Sequence, residues 1–296
     1  MGALPTRFRR ERVLIVGCGD IGLRVAQQLR GRVRLMALTS SADRCVALRA
    51  QGITPLLGNL DVPATLRRLS ALATRVLHLA PPPAEGSEDT RTRALVRALR
   101  MRTLPRSLVY GSTSGVYGDC GGAMVAETRA VHPTTPRAQR RVYAEDAVRH
   151  LGRATGLRAS ILRIPGIYAA DRDGGTPRAR LDRGTPVLQQ EDDVYTNHIH
   201  ANDLALACYL ALWRSQPQRV YNVSDDSDLK MGDYFDLAAN IYGLPRPPRM
   251  TRAQAAAVLS PMQLSFMGES RRLDNARMKR ELRLRLRYPS VHSGLL

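Results

Sequence analysis

The sequence predicts an α/β protein with a doubly wound parallel sheet and a small C-terminal lobe. Apolar strand segments and amphipathic helix segments alternate from residue 12 to residue 164, which is the order expected of a parallel sheet with helices on both faces. The strands are almost continuously apolar, as strands buried on both faces are. A glycine-rich stretch also stands between the first strand and the first helix.

The elements follow one another in a regular order. Strands are predicted at residues 12–16, 33–38, 54–57, 75–80, 107–110 and 159–164. Helices are predicted at residues 21–30, 42–51, 63–73, 90–100 and 135–154. After residue 168 the alternation breaks, and the remaining expectations are a surface loop at 171–178, a helix at 203–214, a strand at 219–223, a helix at 252–259 and an alternating segment at 282–288.

Composition argues against several classes of protein. The formal net charge is +19, but only two of the basic residues are lysines, and the arginines are spread over the predicted helices without interleaved aromatic residues. This pattern disfavours a nucleic-acid partner. The apolar runs are too short to span a bilayer, and no signal peptide precedes the first strand, so we expect no membrane partner and a cytoplasmic location. Four separated cysteines without a C-x-x-C pair predict reduced thiols and no metal site.

A phosphate-binding loop is predicted where the first strand meets the first helix. Gly17, Gly19 and Gly22 form G-x-G-x-x-G, with Asp20 and Ile21 opening the helix. The first glycine permits the tight turn, the second lets a pyrophosphate approach the backbone, and the third lets helix and strand pack closely. The motif in this context predicts a dinucleotide-binding Rossmann domain over residues 1–170, with 200–223 rejoining its sheet and 171–296 forming a smaller substrate-binding lobe.

The end of the second predicted strand favours NADP over NAD. An NAD site usually has an acidic residue about twenty positions after the loop, where it holds the ribose hydroxyls. Here the chain has Thr39, Ser40 and then Arg44, which suit a 2′-phosphate. Asp43 comes a few positions late and also suits a helix start. NADP is the expected cofactor, and NAD is the alternative.

Several further segments resemble one known family. They are Gly58-Asn59-Leu60, Leu77-His-Leu-Ala80-Pro81-Pro82, Gly111-Ser112-Thr113 with the following V-Y-G, Leu162-Arg163-Ile-Pro165-Gly-Ile-Tyr168, and His198-Ile-His200 with the following Asp203-Leu204. Together with the glycine loop, they make the chain similar to extended short-chain dehydrogenases/reductases of the NAD-dependent epimerase/dehydratase type.

The resemblance implies which residues line the cofactor and what the protein acts on. Asn59 and Leu60 would lie beside the adenine, and Ala80, Pro81 and Pro82 would line the cofactor. Ser112 and Pro165 would complete its site. The substrate would be a small molecule held by residues 171–183 and the C-terminal lobe. Because relatives often dimerise through two helices beside the sheet, the resemblance also allows a homodimer.

The family's catalytic motif, Y-x-x-x-K, is missing. Alignment on Glu145 places Arg137 at the tyrosine and Arg141 at the lysine, which makes this an atypical branch. Arginine stays protonated, so Arg137 cannot exchange a proton with a carbinol. The resemblance leaves Thr113 to orient the substrate oxygen and Arg141 to bind the ribose or an anion.

A replacement proton donor has four candidates. They are Tyr117, Tyr168, His198 and Asp203, of which Tyr168 is our expected catalytic residue. Each also has a structural interpretation: the tyrosines pack in the core, and His198 and Asp203 fix a turn and a helix start.

The sequence therefore leaves two candidate functions from different classes. The first is an NAD(P)-dependent oxidoreductase or epimerase-like enzyme with a non-standard proton donor, acting on a nucleotide sugar or a small carbonyl compound. The second is a catalytically silent NADP-binding sensor, which the missing tyrosine and lysine favour. A nucleic-acid-binding protein on the same fold is a weaker third.

Overall fold

The computed structural model describes residues 10–296, with the side chains of residues 261 and 262 left out. The first nine residues, which include Arg7 and Arg9, lie outside the described residues. In chain order the strands are β1 (Arg12–Val16), β2 (Arg34–Thr39), β3 (Thr54–Leu57), β4 (Arg75–His78), β5 (Ser107–Thr113), β6 (Met124–Val125), β7 (Arg158–Ile164), β8 (Gly166–Tyr168), β9 (Val187–Leu188), β10 (Tyr195–Thr196), β11 (His198–His200), β12 (Arg219–Asn222), β13 (Leu229–Lys230), β14 (Arg249–Met250) and β15 (Arg272–Leu273).

The helices lie between these strands and in the C-terminal third. They are α1 (Asp20–Leu29), α2 (Arg44–Ala50), α3 (Thr90–Arg100), α4 (Pro136–Thr155), α5 (Arg178–Asp182), α6 (Ala201–Arg214), α7 (Met231–Tyr242), α8 (Arg252–Val258), α9 (Pro261–Phe266), α10 (Ala276–Leu282) and α11 (Val291–Leu295). Two 3-10 helices, Pro63–Leu69 and Ser114–Tyr117, complete the regular structure described.

The central sheet has seven strands in the order β12-β7-β5-β4-β1-β2-β3. The pairs of β1 with β2 and β4, of β2 with β3 and of β4 with β5 are parallel. The chain thus starts in the middle of the sheet, builds one edge and then crosses to build the other, which is the doubly wound order. The predicted fold class is confirmed.

Helix α4 begins and ends where the local sequence supplies caps. Before α4, the Thr135 side chain accepts a hydrogen bond from the Ala138 amide, and a proline occupies the first turn. The helix ends at Gly156, which adopts the left-handed conformation with φ 69°. These caps explain why sequence reasoning predicted this helix to within one residue at each end.

Two compact units divide the chain. The first unit contains residues through Ser112, Thr135–Leu162 and Ala205–Val220. The second contains Thr113–Thr134, Arg163–Leu204 and Tyr221–Leu296. Residues 113–134, expected in the N-terminal domain, fold with the second unit because β6 pairs in parallel with β15.

The second unit has its own apolar core and contains several helices that the sequence analysis did not predict, of which α7 is the longest. Helix α7 places Met231, Tyr234, Phe235, Ala238 and Ala239 in that core. This spacing is the periodicity of an amphipathic helix, so the signal was present in the sequence.

Two other predicted elements differ from the structure. The segment expected to be a helix at 63–73 is a 3-10 helix that stops at Leu69, and Ala71 then adopts a positive φ of 61°. The alternating segment at 282–288 begins with the last residue of α10, and after Arg283, which caps that helix with φ 52°, residues 284–288 form neither helix nor strand.

Candidate functional site

The glycine loop lies between β1 and α1 and has the geometry of a phosphate cradle. Gly17 has φ +88°, and a Cβ there would stand 2.3 Å from the Ala80 nitrogen. A Cβ on Gly22 would stand 3.1 Å from the Gly17 oxygen, so the packing of the loop requires a glycine at position 17 and leaves little room for a side chain at position 22. A Cβ on Gly19 would meet nothing within 4 Å. Protein packing therefore does not require Gly19, and the open space before α1 fits a diphosphate on the helix N-terminus.

Asp20 and Ile21, the first residues of α1, follow this open space. The Asp20 carboxylate accepts a hydrogen bond from Arg24 Nε at 2.9 Å, one turn along the helix. This contact turns the acidic side chain toward a cation on α1, which reduces the repulsion that it would exert on a phosphate.

At the end of β2, an arginine reaches back to the glycine loop. Arg44 Nη2 donates to the Cys18 carbonyl at 2.6 Å. Thr39 is buried, and its hydroxyl donates to the Ser41 carbonyl at 3.2 Å, whereas Ser40 is exposed. The structure thus brings the expected hydroxyl residues and Arg44 to the same end of the sheet as the loop. Asp43 is the N-cap residue of α2 and is exposed.

The residues expected beside the adenine follow β3. The Asn59 amide donates to Thr65 Oγ1 at 2.9 Å, and Asn59 Oδ1 accepts from the Asp61 amide at 2.9 Å. Leu60 is half-buried against the core of the first unit. These contacts make the segment a tight turn with a defined backbone.

An ion pair that the sequence did not reveal holds this turn to the end of β4. Arg91 donates to both carboxylate oxygens of Asp61, at 2.8 and 2.7 Å. Its Nη1 also lies 3.4 Å from the carbonyls of Pro81 and Pro82. The guanidinium lowers the pKa of Asp61 by this hydrogen bonding. Arg91 therefore fixes both segments that the resemblance places around the cofactor, and nothing in the local sequence marks it among so many arginines.

Ala80 also lies against the glycine loop. Its amide donates to the Val16 carbonyl at 3.0 Å, so the chain after β4 is fixed to the end of β1. This hydrogen bond explains why only a glycine fits at position 17.

Ser112 and Thr113 end β5, which is three residues longer than predicted. Ser112 is buried, and its hydroxyl has no hydrogen-bond partner among the described residues. Thr113 Oγ1 accepts from the Gly115 amide at 3.3 Å. This contact uses a lone pair of Thr113 and leaves its hydroxyl proton able to donate to a ligand oxygen.

Arg141 is held against β5 by two hydrogen bonds. Its Nη1 donates to the Tyr110 hydroxyl at 3.0 Å and to the Gly111 carbonyl at 2.9 Å. Burial raises the pKa of Tyr110 to about 12, although the neighbouring guanidinium opposes this shift. Tyr110 is completely buried, so it positions Arg141 and does not reach a ligand. Sequence reasoning missed Tyr110, because a tyrosine in an apolar strand looks like core.

A neutral histidine lies beside this pair. Burial, and then the charge of Arg141, lower the pKa of His78 to about 3. His78 Nε2 lies 2.9 Å from Thr92 Oγ1, which in turn donates to Asp89 at 2.7 Å. At neutral pH His78 therefore adds no positive charge beside Arg141.

Tyr168, our expected catalytic residue, lies buried in the second unit. The side chain is 2% exposed, and its hydroxyl donates to the Ser290 carbonyl at 3.1 Å. Burial, and then the charge of Asp225, raise the pKa of Tyr168 far above its usual value. Its ring packs edge-on against His200, with 5.3 Å between ring centroids. Tyr168 is a core residue of the second unit. Pro165, expected near the cofactor, is half-buried in the link between β7 and β8.

Two of the other candidate proton donors are hydrogen-bonded within the second unit, and the third is a neutral histidine. Tyr117 is buried and donates to Asn222 Oδ1 at 2.7 Å. The Asp203 carboxylate accepts from the amides of Arg287 and Tyr288 at 3.0 and 2.9 Å. Burial lowers the pKa of His198 to about 4, so that residue is neutral at ordinary pH.

Metal clusters and membrane-spanning helices are both missing from the described part of the chain. Over residues 10–296, no group of three or more His, Cys, Asp or Glu side chains is arranged to hold a metal ion. No helix in that range has the length and apolar character needed to cross a membrane.

Comparison with known proteins identifies the family. The model of the NAD dependent epimerase/dehydratase family matches residues 13–224. A solved structure of a functionally unknown conserved protein from Silicibacter pomeroyi DSS is 31% identical, with a TM-score of 0.79 and 96% of each chain covered. Among curated proteins, none matches this sequence.

More distant solved structures share the fold. UDP-glucose 4-epimerase from Thermotoga maritima, solved with UDP-glucose, is 18% identical, with a TM-score of 0.78 and 96% of each chain covered. A nucleoside-diphosphate-sugar epimerase from Pseudomonas aeruginosa is 19% identical, with a TM-score of 0.78 over 96% of this chain and 95% of that one. The family match and the fold confirm the resemblance seen in the sequence: this chain belongs to the NAD-dependent epimerase/dehydratase family.

Proposed function

We propose that this protein binds NADP in its first unit and works as an atypical oxidoreductase of the epimerase/dehydratase type. The observation that carries the proposal is the open position at Gly19, with the Arg44 guanidinium at the same loop. The cradle at the N-terminus of α1 fits a diphosphate, and a guanidinium beside it fits the additional 2′-phosphate of NADP. Family members solved with NAD, such as the UDP-glucose 4-epimerase from Thermus thermophilus, are consistent with a nicotinamide dinucleotide here.

The proposed roles of the other residues follow from their contacts. Asp20 and Ile21 open the helix at the diphosphate, and Thr39 and Ser40 lie at the end of β2 with Arg44. Asn59 and Leu60 would lie beside the adenine, Ala80, Pro81 and Pro82 would line the cofactor, and Ser112 would complete its site in the first unit. Bound NADP would supply or accept a hydride.

Thr113 and Arg141 are the proposed residues of the reaction itself. The free hydroxyl proton of Thr113 would donate to the substrate oxygen and orient it. Arg141, which forms no ion pair with any described carboxylate, would bind the nicotinamide ribose or an anionic group. The proposed substrate is a small molecule with a carbonyl or carbinol carbon, such as a nucleotide sugar.

The nucleotide experiment compares one arginine with a matched control on the same helix. Arg44→Ala should weaken NADP binding about tenfold and leave NAD binding nearly unchanged, because a charge-assisted pair with the 2′-phosphate is lost. Arg49→Ala removes an exposed arginine from the same helix and should change neither affinity. Calorimetric titration with the oxidised and reduced forms of both cofactors measures this. No heat with any of the four would overturn the proposal.

A silent NADP-binding protein is the second candidate function, and one observation favours it. The tyrosines nearest the family motifs, Tyr117 and Tyr168, have their hydroxyls bonded inside the second unit. Hydride transfer assayed with a panel of sugar nucleotides and small carbonyl compounds separates the two candidates. Turnover that Thr113→Ala abolishes supports the enzyme, whereas tight binding of NADP without any turnover supports the sensor.

A further inference from the structure

The second unit contains an acidic cavity, although the chain as a whole is strongly basic. The cavity has a volume of about 260 Å³ and lies beside Met124, residues 225–228 and residues 272–275. Its lining includes four aspartates, which are Asp225, Asp226, Asp228 and Asp274. The chain has 45 lysines and arginines against 26 acidic residues, so a group of carboxylates with few cations among them is unusual here.

Two of these four carboxylates are balanced by cations. Lys279 pairs with Asp226, and Arg272 Nη1 lies 3.3 Å from Asp228 Oδ2. The other two aspartates form no ion pair with any side chain that the structure describes. The cavity therefore has two carboxylates that lack a cationic partner.

Asp225 differs from the other buried acidic residues in having a carboxylate oxygen without a donor. It is 3% exposed, and its Oδ1 accepts a hydrogen bond from the Ser227 amide at 2.9 Å. Its Oδ2 has no hydrogen-bond partner, which is true of no other buried acidic residue over residues 10–296. The Tyr168 hydroxyl also faces Asp225, but it donates its single proton to the Ser290 carbonyl at 3.1 Å. Burial of a carboxylate without enough donors is unfavourable, so a cation bound in the cavity would stabilise this side chain.

Asp274 supplies the second carboxylate from a segment that is fixed in place. It is half-buried, and its Oδ1 accepts a hydrogen bond from the Ala276 amide at 2.9 Å. The next residue, Asn275, donates through Nδ2 to the Ser224 carbonyl at 2.9 Å and to Asp226 Oδ1 at 2.8 Å. These contacts hold the segment against the loop that contains Asp225. The walls of the cavity are thus formed before any ligand binds, which lowers the cost of binding one.

We infer that this cavity binds the ammonium group of a small aliphatic amine, with Asp225 and Asp274 as its anionic partners. An ammonium group carries one positive charge and three N–H donors, and its hydrogen bonds to carboxylates are charge-assisted. A metal ion fits less well, because no three His, Cys, Asp or Glu side chains in the described part of the chain are arranged to hold one. The cavity also has room for the carbon chain of such an amine. This inference is independent of dinucleotide binding in the first unit.

The test uses putrescine, a four-carbon diamine, in calorimetric titrations of the full chain. The matching four-carbon diol has the same length and no charge. Asp225→Asn and Asp274→Asn each remove a negative charge and keep an oxygen that can accept from the Ser227 or Ala276 amide. Glu191→Gln is the matched control, because it removes an exposed carboxylate of the same unit that does not line the cavity.

The site predicts a particular combination of results. Asp225→Asn and Asp274→Asn should each weaken putrescine binding by about tenfold, whereas Glu191→Gln should leave it unchanged. The diol should not bind. Melting temperatures measured without ligand show whether each variant is folded. If Asp225→Asn does not fold, the comparison of Asp274→Asn with Glu191→Gln still decides the inference.

The pH dependence of putrescine binding gives a readout that a merely structural role would not produce. Burial raises the pKa of Asp225 to about 7, and the titratable groups that face it are Asp226, Tyr168 and Tyr234. Burial also raises the pKa of both tyrosines, so they stay neutral. An aliphatic amine is charged throughout the range from about pH 6 to 8, whereas Asp225 loses its proton there. Wild-type affinity should therefore rise with pH over this range, and the affinity of Asp225→Asn should not.

Three results would overturn the inference. The first is wild-type protein that does not bind putrescine, and the second is Asp274→Asn protein that binds it as tightly as wild type. The third is Mg²⁺ binding that both aspartate variants abolish while putrescine binding persists, which would make the cavity a metal site. None of these results depends on NADP, so the proposed function is tested separately.

Discussion

The structural and ligand-binding roles of the glycine loop separate cleanly in a pair of alanine variants. Gly17→Ala places a methyl group 2.3 Å from the Ala80 nitrogen at a residue with φ +88°. The backbone conformation alone costs an alanine about 1–3 kcal/mol. Relief of the contact must also move Ala80, whose amide donates to the Val16 carbonyl at 3.0 Å, and loss of that bond costs about 1 kcal/mol more. We expect the free energy of unfolding to fall by at least about 2 kcal/mol.

Gly19→Ala should have the opposite profile. Its φ of −83° is allowed for alanine, and the added methyl group meets no atom within 4 Å. The free energy of unfolding should stay within about 0.5 kcal/mol of wild type. The methyl group would, however, occupy the space proposed for the diphosphate, so NADP affinity should fall at least about tenfold.

Urea unfolding followed by circular dichroism gives the stabilities, and calorimetric titration gives the affinities. A Gly19→Ala protein that folds like wild type and binds NADP equally well would refute the assignment of the open space to a ligand. A Gly17→Ala protein of wild-type stability would refute the steric argument for the loop.

Three further predictions concern residues around this site and in the second unit. Arg91→Ala should weaken NADP binding, because it frees the turn at Asp61 from the end of β4, whereas Arg97→Ala on the same helix should leave NADP binding unchanged. Equal NADP affinities of the two variants in calorimetric titration would contradict this prediction. Tyr168→Phe should lower the free energy of unfolding by about 1 kcal/mol through the lost hydrogen bond, and it should leave any hydride-transfer rate unchanged. A large loss of kcat at unchanged stability would instead support a catalytic role for Tyr168. Burial raises the pKa of Asp225 to about 7, so folding favours its protonated form. The stability that this protonated form contributes is present in acid and is lost as pH rises from about 4 to 7. Asp225→Asn should remove this part of the pH dependence, as measured by urea unfolding across that range.

The sequence by itself determined the architecture and the position of the cofactor loop. Alternation of apolar strands with amphipathic helices is a local pattern, and so are the caps of α4 and the glycines between β1 and α1. Each is encoded within a few residues of where it acts, and for that reason the sheet and its helices could be predicted. The absence of the Y-x-x-x-K motif could likewise be read from the sequence alone.

Tertiary structure decided which polar side chains are free to act. Tyr168 and Thr113 both stand in family motifs, but only the fold shows that the tyrosine hydroxyl is bonded to the Ser290 carbonyl and that the threonine keeps a proton to donate. Likewise, the Arg91 bridge to Asp61 joins residues thirty positions apart. Hydrogen bonding and burial depend on contacts between distant segments, and a pattern read along one chain does not contain those contacts.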